Sequence, residues 1–283
     1  MESSLRFVDT AAEAWSPVLG LRNRARSTAK SAALWIAARQ NPAPDTFIRC
    51  LYGHAVFGDT VDRFRDFVRW ARATGDFIDT PTLLEMMAAE TPPKGRFFHL
   101  SFDDGFANVY EEGGRVLEEL RIPYTMFVAT DLIAADAPAT MRYFNAMSAY
   151  RAPIRAMTWD QVAAAAASPM AEIGCHTRTH PRLSSISNDP ARLHEEVAGA
   201  KTRIEAVTGK PCRSFAWPYG TMSDIDEASL AAVRAAGFDC CFSAVRGRVE
   251  PGGTDPFLIP RHQVEFHWPR HELLAWASGY REP

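Results

Sequence analysis

Long apolar runs are missing from this sequence. No window of its 283 residues approaches the roughly 18 uncharged apolar positions that a membrane-spanning helix needs. No export leader is legible either: "MESSLRFVDTAAEAW" has an early acid, Glu2, and no apolar core of signal-peptide length. Basic excess is absent. A formal net charge of -3 and a pI near 6.3 argue against a nucleic-acid partner, which asks for a far more basic surface. Cysteine is sparse. Five cysteines, an odd number with Cys240 and Cys241 adjacent, do not suggest a disulfide framework. With no CxxC pair, a thiolate zinc site is also unsupported. Repeats are absent, and low complexity is confined to Ala163–Ala167. The expectation is a cytoplasmic protein, at most touching the inner face of the membrane. What is present, 47% hydrophobic and 23% charged residues, is enough to bury a real core.

The chain divides by composition. Residues from Glu2 to about Gln40 read as helix, with Trp15, Leu19, Leu34, Trp35 and Ile36 set between alanines. Arg22, Arg24, Arg26, Lys30 and Arg39 make its second half basic. The interrupted apolar face suits packing on the main domain or on a second subunit, and the charge also suits an anionic lipid surface. Peripheral membrane association and an oligomer both stay open. "NPAPD", Asn41 to Asp45, then reads as a linker, giving an extension over 1–46 and a main domain over 47–283. Beyond it, strand-like runs ("TFIRCLYGH", "RFFHLSFDD", "PYTMFVAT", "AEIGCHT", "RSFAWPYG", "FDCCFSA") alternate with helical stretches. That alternation predicts an α/β fold with a parallel barrel or a doubly wound sheet, whose functional groups collect at the C-terminal strand ends.

Three polar stretches stand at that address. In "HLSFDDGFANVY", Asp103 and Asp104 are adjacent carboxylates after an apolar run, either a solvated turn or a pair facing a cation. In "EIGCHTRTHPRLSS", His176 and His180 face one side if helical or turn geometry follows the strand. The spacing alone equally describes two surface histidines before Pro181. Joined to the acid pair, it points to a metal bound by two imidazoles and a carboxylate. A cation makes Asp104 a ligand and leaves Asp103 to accept a proton. In "CRSFAWPYGTMSD", the run Trp217-Pro218-Tyr219-Gly220 predicts a rigid turn whose backbone N–H groups can meet an oxyanion. Seen alone, it is an ordinary Pro-Gly loop.

"LSFDDG", "HTRTH" and "FAWPYG", in that order, resemble the first three motifs of the NodB-homology polysaccharide deacetylases, carbohydrate esterase family 4. "MTWDQ" and "LIPRHQV" are similar to further segments of that family. "LYGHAVFGDTVDRFRDFV" resembles the opening segment of a branch acting on biosynthetic exopolysaccharides. The likeness runs from about Ile48 to Val264. It implies a distorted (β/α) barrel of about seven parallel strands. It also implies a divalent ion, usually Zn2+ with Co2+, Ni2+ or Mn2+ as substitutes, on Asp104, His176 and His180. Asp103 becomes the general base and the Tyr219 amide the oxyanion donor. The general acid maps to His54, with His262 as rival. An arginine that orients the base in many members is replaced here by Ala216; Arg213 or Arg261 is available to supply the charge, Arg261 being preferred. The tryptophan-containing fourth motif is not evident; "DCCFSAV" stands near its place.

The activity so implied is N-deacetylation of an N-acetylated sugar, in a polysaccharide or lipid-linked precursor, with acetate released. Trp217, Pro218, Tyr219, Tyr143 and Phe144 are the candidate sugar contacts, although core or rim packing explains such aromatics equally well. Two alternatives stand beside it. An O-acetyl esterase would need no strong acid, and a silent glycan-binding relative would be expected to lose a ligand or the base.

Overall fold

Strand and helix alternate in the computed structural model, which describes residues 5–15, 45–91, 93–145, 151–280 and 282. The strands are β1 (Phe47–Gly53), β2 (Asp76–Phe77), β3 (Arg96–Phe102), β4 (Tyr124–Val128), β5 (Ala171–Cys175), β6 (Ser214–Ala216), β7 (Cys240–Phe242) and β8 (Arg261–Gln263). Their order is β7-β6-β5-β4-β3-β1-β8, with the two-residue β2 added to β3. Every pairing is parallel. A bridge from Phe242 to Ile259, just before β8, brings the two ends of the sheet together. The result is a nearly closed barrel of seven parallel strands with flanking helices.

The sequence shows why these elements form. β1, FIRCLYG, is buried along its whole length, as a strand covered on both faces must be. Its inward residues Ile48 and Cys50 cluster with Phe127, Ala216, Cys240, Phe242 and Ile259. The opposite faces of the strands pack under the helices: Phe98, Leu100 and Phe102 of β3 join Phe64, Phe67 and Val68 from the helix Val61–Thr74. Burying one such phenylalanine contributes about 1.5–3 kcal/mol. The helix Trp159–Ala167 starts at Thr158, whose side chain and that of Gln161 form a capping box. Asp189 caps the segment Pro190–His194, which runs through a π-turn at Glu195–Gly199 into the helix Ala200–Thr208. The pattern reads this span as one regular helix; the π-turn is a departure from it.

β8 and the helix Ala137–Asn145 are elements the sequence pattern does not separate out. At the N-terminus, Thr10 caps a single turn, Ala11–Ala14. That turn is fastened to the barrel by a bridge between Val8 and Ile154 and by the Ala11 N–H on Asp59. The helix expected over residues 2–40 is thus corrected where it is described: residues 5–9 and Trp15 are not helical, and residues 2–4, 16–40 and most of the linker lie outside the described residues. Among the described residues no helix is long and apolar enough to cross a membrane.

Candidate active site

The C-terminal strand ends bring the polar stretches into one cavity of about 330 Å3. It is lined by His54 after β1, Asp103 and Asp104 after β3, His176 and His180 after β5, Trp217 and Tyr219 after β6, and Arg261 and Gln263 of β8. Four non-glycine residues here have left-handed backbones: Asp104 (φ 73°), Thr177 (φ 68°), His180 (φ 59°) and Tyr219 (φ 60°). Such conformations cost about 1–3 kcal/mol each and persist only where the surroundings enforce them.

Asp104, His176 and His180 offer ligand atoms within 4.8 Å of one another, and all three side chains are buried. Asp104 Oδ1 lies 3.7 Å from His176 Nε2 and 3.8 Å from His180 Nε2. His176 Nδ1 is 2.8 Å from the Ala216 carbonyl, which can only accept, so Nδ1 is the donor there and Nε2 is the ring nitrogen left to face Asp104. Tyr143 donates its hydroxyl to Asp104 Oδ1 at 2.8 Å, while the buried Oδ2 has no hydrogen-bond partner. Burial pushes the Asp104 carboxyl up, against the pull of His54 and His176. Burial, then neighbouring His176, hold His180 well below the ordinary imidazole value and therefore neutral. Two imidazoles and a carboxylate with one buried oxygen left without a partner form a donor set that fits a divalent ion such as Zn2+.

Asp103 is held differently. Arg261 Nη1 and Nη2 donate to its two oxygens, both at 2.8 Å, and Arg261 Nη1 also reaches Ser101 Oγ. Burial works to raise the Asp103 pKa, but the guanidinium outweighs it and the group lies below the usual carboxylate value. Two adjacent acids in one cavity thus diverge: one is charged on an arginine, the other faces two imidazoles. Arg213, the alternative cation, pairs with Asp239 on the surface.

The two candidate acid histidines are placed apart. The His54 side chain is 20% exposed, lines the cavity, and bonds through Nδ1 to Glu265. Burial opposes its charge, but the Glu265 carboxylate overrides this and pushes the pKa up to about 9. His262 is fully buried on the other face of β8, where Nε2 meets Glu282 at 3.0 Å. Strand alternation explains this: Arg261 and Gln263 point into the cavity, so His262 points out.

The aromatics separate too. Tyr219 is half-buried, its ring between His180 (4.9 Å) and Arg182 (3.7 Å to the guanidinium). Its N–H has no acceptor among the described residues. Trp217 is 1% exposed and donates Nε1 to Phe257 O, so it forms floor rather than a stacking face. Pro218 is buried. Tyr143 reaches the site through its hydroxyl, and the Phe144 side chain lies outside the described residues. Glu265, Gln263, His267 and Trp268 also line the cavity without having been singled out from sequence, as does Trp15, expected only as an apolar position of the N-terminal helix. "RHQVEFHW" carried a usable signal: Arg261, Gln263, Glu265 and His267 recur with the two-residue period of a strand face.

Residues 90–241 match the profile of the polysaccharide deacetylase family, and the chain belongs to that family. A gellan lyase from Bacillus sp is 26% identical over 156 residues. That match takes in 55% of this chain but spans only 5% of that protein's length. The BpsB deacetylase domain from Bordetella bronchiseptica superimposes with a TM-score of 0.65 at 20% identity, covering 80% of this chain and 98% of that one. IcaB from Ammonifex degensii gives 0.62 at 20% identity over 84% and 98%. A de-N-acetylase from Aggregatibacter actinomycetemcomitans gives 0.64 at 18% identity over 79% and 97%. These similarities define a shared barrel.

Proposed function

We propose that this chain is a metal-dependent N-deacetylase that hydrolyses the acetamide of an N-acetylated sugar in a glycan or lipid-linked saccharide. The observation that carries the reading is one cavity holding a metal-competent Asp104/His176/His180 set, an Arg261-bound Asp103 and a Glu265-bound His54. The likeness to a de-N-acetylase supports amide over ester chemistry. The opening segment around His54 supports the exopolysaccharide-like branch.

Asp104, His176 and His180 would hold the ion, Zn2+ or a substitute, which supplies Lewis acidity at the carbonyl and makes nearby water acidic, with a pKa toward roughly 7. The protein groups perform the rest. Asp103 accepts the proton of the attacking water. Arg261 fixes its orientation and keeps it ionised until then. The Tyr219 N–H meets the carbonyl oxygen as it gains charge; one such donor contributes about 3 kcal/mol. An amine leaves poorly unless protonated, and His54, cationic at neutral pH, donates that proton from the side of Glu265.

The test is metal analysis of the purified protein, then acetate release from a panel of N-acetylated saccharides with and without chelator. Bound metal with chelator-sensitive acetate release supports the reading. A metal-free protein that no added divalent ion activates overturns it.

A further inference from the structure

His176 and His180 sit on a turn whose shape is intrinsically unfavourable. Thr177 (φ 68°) and His180 (φ 59°) both occupy the left-handed region that residues with a side chain avoid. The partners of the turn's backbone groups show what enforces it. On one side, the residues that follow β4 take part: the N–H groups of Thr130 and Asp131 donate to Thr177 O (3.1 Å) and Arg178 O (2.9 Å). Within the turn, the His180 N–H donates to Thr177 Oγ1 at 3.0 Å. Two amides face the other way, and both converge on a single atom. Arg178 N–H and Thr179 N–H donate to Glu196 Oε2 at 3.1 and 2.8 Å, and the Thr179 hydroxyl donates to Glu196 Oε1 at 2.5 Å.

Glu196 is 4% exposed, although glutamate is rarely buried without a partner cation. The donors it meets are two amides and a hydroxyl of this one turn. It stands on the π-turn Glu195–Gly199, where one extra residue per turn shifts the side chains that follow. We infer that Glu196 is a positioning residue for the metal centre: its carboxylate holds the turn between His176 and His180 in ligating shape without touching the ion. The inference rests on the metal-dependent reading above. A carboxylate that only stabilised the fold would leave the ion's affinity and geometry unchanged once the protein is folded.

The experiment compares the parent with Glu196→Gln and Thr179→Val. Zn2+ affinity is measured by chelator competition on the apo-protein, and the absorption spectrum of the Co2+ form reports the ligand arrangement. Glu196→Gln keeps the volume and one acceptor oxygen but removes the charge and puts an NH2 donor in place of the second acceptor, so the two amides and the hydroxyl of the turn can no longer all donate to it. It should weaken Zn2+ binding about tenfold or more, with an altered Co2+ spectrum and an unchanged KM for glycan. Thr179→Val removes one of the three bonds and should weaken binding in the same direction by less. If Glu196→Gln does not fold, Thr179→Val decides by the same measure. Variants that bind Zn2+ within about twofold of the parent, with the parental Co2+ spectrum, overturn this inference alone. A parent that binds no Zn2+ overturns the metal reading and this inference with it.

Discussion

Asp103 and Asp104 are covalent neighbours with opposite environments, and the consequences can be measured separately. Asp103→Asn should keep the metal and lower acetate release by about a thousandfold, because only the proton acceptor is lost. His176→Ala should lose both metal and activity, read by metal analysis beside the same assay. Arg261→Met leaves a buried carboxylate without its cation, which should cost about 3–5 kcal/mol in a denaturation experiment. The sign of its pH dependence follows from Asp103 lying below the usual value. The Asp103–Arg261 contribution is present above the unfolded-state pKa and is lost as pH falls through the folded one. The stability advantage of the parent over Arg261→Met should therefore shrink in acid. His54 runs the other way: with its pKa near 9, its cation is complete at neutral pH and is lost as pH rises through the folded value. A dication in the cavity pulls that value down. Glu265→Gln should move the basic limb of the kcat/KM profile to lower pH by about one unit or more. An unmoved limb would remove His54 from the role of acid.

At the scale of elements, two short segments decide the site. The turn after β6 places Tyr219 and Gly220 both in the left-handed region, and a Cβ on Gly220 would stand 2.6 Å from the Ala244 amide nitrogen. Gly220→Ala should therefore destabilise the protein by about 1–3 kcal/mol in urea and depress activity by moving the Tyr219 amide. β8 shows what pleating does to neighbours. Arg261 faces Asp103 while His262, next in sequence, faces Glu282 on the outside. His262→Gln should keep most of the acetate release per folded molecule, whereas His54→Gln should lose it by about a hundredfold. The helices were legible because their caps are local: Thr158 with Gln161, and Asp189 before Pro190. The π-turn at Glu195–Gly199 and the strand β8 were not. The first carries the buried Glu196, whose partners lie on a turn 17 residues earlier, and the second pairs with β1 from more than 200 residues away.

For the whole molecule, the barrel gathers at one rim groups from strands that are far apart in sequence. Removing the ion with a chelator should abolish acetate release. It should also lower the melting temperature, because ligand bound only to the folded state stabilises it by about 2.7 kcal/mol at a hundredfold excess over Kd. A melting temperature independent of Zn2+ concentration would speak against the triad as a tight site. The sequence by itself determined the alternation of strand and helix, the addresses of the Asp103–Asp104, His176–His180 and Trp217–Gly220 motifs, and through their order the family. These are local signals of pattern and spacing. Only the tertiary structure decided that Arg261 embraces Asp103, that Glu265 stands behind His54, and that His262 turns away. The first two are contacts across more than 150 residues of chain, which the closure of the sheet brings into reach, and the third follows from the pleat of β8 once Arg261 faces the cavity.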